Sequence, residues 1–162
     1  MGKRGFTNNM DLDDLDRAIL DLYQRDTRRP SEQIGAQVGL SAAAVQRRLK
    51  RLRESGAIVA ETAALDPRKL GLGLTAIVNV GLVDESARAT RAFRDKVCAR
   101  GEVQQCYGVA GSFDYVLLVV VADLAAYEVF CEACLLHDEN VRSFTTQIVL
   151  DAAKRDGPLR FA

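Results

Sequence analysis

The chain has 162 residues, with 22 Lys+Arg against 22 Asp+Glu for a formal net charge of zero. That length holds one medium domain or two small ones, and 48% apolar with 27% charged residues excludes wholesale disorder. No apolar run approaches the roughly 18 residues that span a bilayer, and residues 1–10 (MGKRGFTNNM) lack the apolar stretch of a signal peptide. A cytoplasmic chain is therefore expected, with Cys98, Cys106, Cys131 and Cys134 as reduced thiols. One histidine leaves little material for His-based catalysis or metal binding, so neither an enzyme nor a cofactor is expected. The zero total also conceals a split: residues 1–70 hold 13 basic and 10 acidic residues (+3), and residues 71–162 hold 9 and 12 (−3).

Residues 11–24 (DLDDLDRAILDLYQ) carry Leu12, Leu15, Ile19, Leu20 and Leu22 at near-helical spacing, with acids in the first turn, where the helix dipole favours them. After the breaker stretch DTRRP, Pro30 and Ser31 start a short helix to Val38. Gly39-Leu40 forces a tight turn, and Ser41 can N-cap a third helix that runs to about Ser55, where Gly56 can end it in a left-handed conformation. On that third helix Val45, Leu49 and Leu52 form one stripe at about 100° per residue. Ala43, Gln46, Arg47 and Lys50 point the other way, and Arg48, Arg51 and Arg53 lie on the flanks. Between Ser41 and Arg53 there are five basic residues and no acid, which suits a polyanion. Two short helices, a minimal Gly turn and a basic second helix read as a helix-turn-helix, with an ordinary three-helix bundle as the alternative.

Beyond Asp66-Pro67 the period changes. Residues 72–83 read as a strand, 84–100 as an amphipathic helix, 102–110 and 115–121 as two strands joined by the Gly111–Asp114 turn, 123–136 as a second helix and 141–150 as a last strand. The order β-α-β-β-α-β is the ferredoxin-like arrangement, an antiparallel sheet with both helices on one face. The third strand (YVLLVVV) is apolar without alternation, so both of its faces seek burial while the helices cover one. Self-association through the second face is the expected resolution.

Taken together, the chain resembles the Lrp/AsnC (leucine-responsive/asparagine regulator) family of transcription regulators over residues 12–153. The resemblance is carried by Leu12-Asp13-x-x-Asp16-x-x-Ile19-Leu20, Gly39-Leu40-Ser41 with Arg48 and Leu52, and Gly56-Ala57-Ile58. In the second half it is carried by Val103, Gly111-x-x-Asp114-Tyr115 and Thr146. It implies an α+β chain: a winged helix-turn-helix domain that binds DNA, then a ferredoxin-like βαββαβ domain (the regulation of amino-acid metabolism, or RAM, domain). That second domain dimerises in the family and often binds an amino acid, and the dimers commonly build tetramers or octamers. The expected layout is a flexible segment 1–10, a DNA-binding domain 11–66, an effector and oligomerisation domain 67–153 and a tail 154–162.

For duplex DNA, Ala42, Ala43, Gln46 and Arg47 are the candidates for base edges, with Arg47 suited to a guanine and Gln46 to an adenine. Arg48, Lys50 and Arg51 lie closer to phosphates; Arg48 can instead bridge to an acid of the first helix. Ser41 is an N-cap that can also donate to a phosphate. For the effector, the resemblance points to Gly111, Asp114 and Thr146. A glycine admits close backbone approach and an aspartate can hold an ammonium group, although both residues also serve a plain turn. Phe144 stands where family members often carry a threonine, which favours an apolar side chain on the ligand. Cys131-x-x-Cys134-x-x-His137 has the spacing of metal ligands but needs a fourth; as small hydrophobes on a buried helix face, the cysteines need no metal. Two rival functions stand beside a ligand-responsive regulator. One is an effector-independent architectural DNA-binding protein. The other is an enzyme resembling sirohaem decarboxylases, which rely on histidines where this chain has only His137.

Overall fold

Helix α1 (Asp14–Tyr23) starts on a reciprocal cap: the Asp13 carboxylate accepts from the Asp16 N–H (2.8 Å), and the Asp13 N–H donates to the Asp16 carboxylate (3.4 Å). In this computed structural model the described residues are 11–155 and 157–161, so the segment 1–10 expected to be flexible lies outside them. Pro30 precedes α2 (Ser31–Val38), which ends at Gly39 with φ 73°, a left-handed turn that glycine adopts without strain. The Ser41 hydroxyl caps α3 (Ala42–Glu54) by accepting from the Ala44 N–H (3.2 Å). Ile19 and Tyr23 of α1, Ile34 of α2 and Val45 and Leu49 of α3 form the core of this three-helix unit, with Ile58 packed against it. Gly35 permits the tight α2–α3 approach, because a Cβ there would stand 2.3 Å from the Leu40 carbonyl oxygen.

The wing implied by the family resemblance is not built from strands here. Among the described residues this unit holds no strand, and residues 59–66 run without regular structure. Val59 is 91% exposed, so its side chain buries little that would hold an extended pair together. Glu61 pins the segment instead, accepting from the Tyr23 hydroxyl (2.9 Å) and from Arg53 Nε (2.7 Å).

The second unit contains β1 (Leu74–Leu82), α4 (Ala87–Cys98), β2 (Val103–Gly108), β3 (Tyr115–Val121), α5 (Leu124–Cys131) and β4 (Val141–Ile148). A π-helical turn, Glu132–Leu136, continues α5. The strands form one sheet in the order β2-β3-β1-β4 with each neighbouring pair antiparallel, the βαββαβ arrangement expected. Ala76, Val78, Val80 and Leu82 of β1 and Tyr115, Leu117, Val119 and Val121 of β3 face the helices, where Phe93 and Val97 of α4 and Tyr127 and Phe130 of α5 complete the core. The alternate residues Ile77, Val116 and Leu118 remain partly accessible on the other face. A uniformly apolar β3 therefore has two differently used sides.

The described chain divides into two compact units, residues up to Ala64 with 154–161, and Leu65–Ala153. The last residues belong to the first unit, where the Gln24 side-chain amide pairs with the backbone of Leu159. It donates to the Leu159 carbonyl and accepts from the Leu159 N–H, both at 2.9 Å.

Candidate nucleic-acid interface and effector site

The buried stripe Val45, Leu49 and Leu52 fixes how α3 is turned. Ala43, Gln46, Arg47 and Lys50 are consequently exposed, with Ser41 exposed and Ala42 half-buried at its N-terminal end. Among the described residues Arg47 makes no ion pair, while Lys50 is 3.8 Å from Glu54 on its own helix, a surface contact of little strength. A helix with an apolar stripe docked inward and small and basic residues outward has the form that enters a major groove.

Arg48 is placed differently. Its Nη1 donates to both Asp13 oxygens (2.9 and 2.7 Å) and to Asp16 (2.8 Å), so the bridge to the first helix is what the structure shows. Arg51 also donates to Asp16, whose side chain is fully buried between the two guanidinium groups. The Arg48 hydrogen bonds hold the Asp13 carboxyl below its ordinary value and push the Arg48 guanidinium higher still. Asp13 and Asp16 were visible in the sequence as first-turn acids. Their partners, 32 to 35 residues away in α3, left no local signal.

The four effector candidates fall in two places. Gly111 is exposed with φ 156°. Asp114 lies at the turn before β3, where its N–H donates to the Val80 carbonyl (2.9 Å) and its Oδ2 accepts from the Leu82 N–H (2.7 Å). Phe144 and Thr146 of β4 instead sit opposite Val80 and Val78, on the side of the sheet that faces the helices. The Thr146 hydroxyl is bonded to the Tyr127 hydroxyl at 2.5 Å, and burial raises that phenol above its ordinary range. Within one copy, Phe144 packs against the core and the Thr146 hydroxyl already has a partner. Strand alternation beyond the register shift puts Phe144 and Thr146 on the helix side of β4, a consequence of register that the motif alone did not convey.

Among the described residues no three His, Cys, Asp or Glu side chains gather as a metal would require. Cys131 and Cys134 are buried in the core. Burial raises both thiols, and raises Cys106, beside Cys98, to about 12.

Comparison with known proteins places both units. Residues 12–53 match the model of the AsnC-type helix-turn-helix domain, and residues 75–159 that of the Lrp/AsnC ligand binding domain. A helix-turn-helix-type transcriptional regulator of Sinorhizobium fredii is 37% identical, over 90% of this chain and 86% of that one. The crystal structure of an AsnC family transcriptional regulator from Agrobacterium tumefaciens superposes with a TM-score of 0.85 at 31% identity, covering 92% of this chain and 97% of that one. A transcriptional regulator of Neisseria meningitidis, solved as a complex with L-methionine, also reaches 0.85 at 30% identity, over 92% and 96%. With an AsnC-type helix-turn-helix followed by a ligand-binding domain, the chain belongs to the Lrp/AsnC family of transcriptional regulators.

Proposed function

We propose that a homodimer of this chain reads duplex DNA with α3 and is modulated by an amino acid or related small metabolite. The exposed face Ala43-Gln46-Arg47-Lys50, with Arg47 unpaired among the described residues, carries the reading. Ala42, Ala43, Gln46 and Arg47 face base edges, and Ser41, Lys50 and Arg51 reach phosphates. Arg48 holds α3 to α1 and its phosphate contact is secondary. A dimer sets half-sites one helical turn apart, about 10 bp, or a multiple of it.

Dimerisation is supported by the open sheet face, where Ile77, Val116 and Leu118 are only partly covered in a single copy. The L-methionine complex of the Neisseria meningitidis regulator supports an amino-acid effector, held here near Gly111 and Asp114, at an interface between second units. A binding-competent dimer is cytoplasmic in this reading, and any larger assembly is built from it.

Fluorescence anisotropy on duplexes from upstream of its own gene, against a scrambled duplex, tests the DNA reading. A preference of tenfold or more is expected, and equal affinity for both would replace a regulator with an architectural protein. A thermal-shift panel of the twenty amino acids and common 2-oxo acids tests the effector. A ligand at 100 times its Kd stabilises the fold by about 2.7 kcal/mol, so at least one clear rise is expected. No rise anywhere in the panel removes the effector from the proposal.

A further inference from the structure

Cys98 and Cys106 sit on different elements that the chain folds back onto each other. Cys98 is the last residue of α4, next to the fully buried Val97. The backbone reverses directly after it, because the Arg100 N–H donates to the Val97 carbonyl (3.1 Å) and the Val103 N–H to the Arg100 carbonyl (3.2 Å). Strand β2 therefore starts where α4 ends. Cys106 lies on β2 opposite Leu117 of β3, whose side chain is fully buried under the helices. That register turns Cys106 to the helix side, where α4 packs against β2. The two thiols meet there, within hydrogen-bonding reach of each other.

Their access differs. Cys98 is exposed, whereas Cys106 is half-buried against the core. Burial raises the Cys106 thiol to about 12, so at neutral pH it keeps its proton and does not lead an attack. Cys131 and Cys134, by contrast, are sealed in the core, where solutes do not reach them. An accessible thiol with a second thiol poised beside it is the arrangement that oxidises selectively and reversibly. In a reducing compartment such a bond is transient and reports on redox conditions.

We infer that Cys98 and Cys106 form a reversible disulfide when the protein meets hydrogen peroxide. The Cys98 sulfur, as thiolate, attacks one peroxide oxygen and the O–O bond breaks. The other oxygen leaves as hydroxide and takes a proton from solvent, giving water and a sulfenic acid on Cys98. The Cys106 sulfur then attacks the Cys98 sulfur, the S–O bond breaks, and the Cys106 proton leaves with the departing hydroxide as a second water. In sum, two thiols lose two electrons and two protons, the peroxide gains both, and two waters form. The product ties the end of α4 to the edge strand β2 across the short loop 98–106. A dithiol reductant reverses it by thiol–disulfide exchange.

The test uses the full chain, freed of reductant, treated with hydrogen peroxide, then denatured and alkylated with N-ethylmaleimide. Intact mass should show all four cysteines alkylated before treatment and two after it, with no covalent dimer. Dithiothreitol should restore the four. Oxidation should also raise the melting temperature, because a cross-link restricts the unfolded chain. Cys98→Ala should keep all three of its thiols through the same treatment. Cys106→Ala, treated in the presence of dimedone, should stop at the sulfenic acid and carry one dimedone adduct, on Cys98. Four alkylated cysteines in the treated wild type overturn the inference. So does a loss of two thiols in Cys98→Ala, which would place the bond elsewhere, and so does a disulfide found between chains instead of within one.

Discussion

Arg47 and Arg48 are neighbours in sequence with different partners. Arg47 lies exposed on α3, while Arg48 ties Asp13 and Asp16 to that helix. Replacing Arg47 by Ala should cost about 1–3 kcal/mol of operator binding and relax specificity without moving the melting temperature. Replacing Arg48 by Ala should instead destabilise the helical unit by about 1–3 kcal/mol, since it removes a partner from buried Asp16. Parallel melts and anisotropy titrations separate the two. The same contacts set an acid limit. Arg48 lowers Asp13, and Arg53 and Tyr23 lower Glu61, so the unfolded chain takes up these protons at higher pH than the folded one. Their contribution is full above the ordinary carboxylate value of about 4 and is lost as pH falls below it towards the lowered folded values. Melts from pH 7 to pH 3 should show that fall, with a shallower one in Arg48→Ala. The alternative roles of Arg48 were legible in the sequence, because it flanks the apolar stripe. The burial of Asp16 was not: a first-turn acid needs nothing beyond the helix dipole, and its cationic partners lie more than thirty residues on.

At the scale of elements, helix propensity and packing oppose each other at Gly35. Alanine favours an isolated helix by about 1 kcal/mol, yet its Cβ would meet the Leu40 carbonyl at 2.3 Å, and backbone cannot swing aside. Gly35→Ala should therefore destabilise the unit by about 1–3 kcal/mol, read as a lower midpoint in urea. In the sheet, β3 presents Val119 to the fully buried core and Leu118 to the open face. Val119→Asp should unfold the second unit, seen as loss of sheet circular dichroism. Leu118→Asp should keep the fold and shift sedimentation from dimer towards monomer; a Leu118→Asp dimer would show that this face is not the interface. The helices and strands themselves were legible because capping residues, glycine turns and periodicity agree along the chain. The sides of β3 were not, since a strand with apolar residues at every position gives no alternation to read. Nor was the register shift between Gly81 and Leu82 of β1, which arises where that strand meets the distant β4.

At the scale of the whole molecule, the last residues belong to the first unit, where Gln24 holds both backbone groups of Leu159. Gln24→Ala removes both hydrogen bonds and should leave the helical core intact. Amide exchange read by mass spectrometry should then quicken over residues 157–161, and unchanged exchange there would show that the pair holds nothing. The helical unit is thus written in the sequence like a sentence with a parenthesis inside it, begun before the sheet and finished after it. Trimming the final residues should therefore be felt by the helices, which lie farthest from them in the sequence.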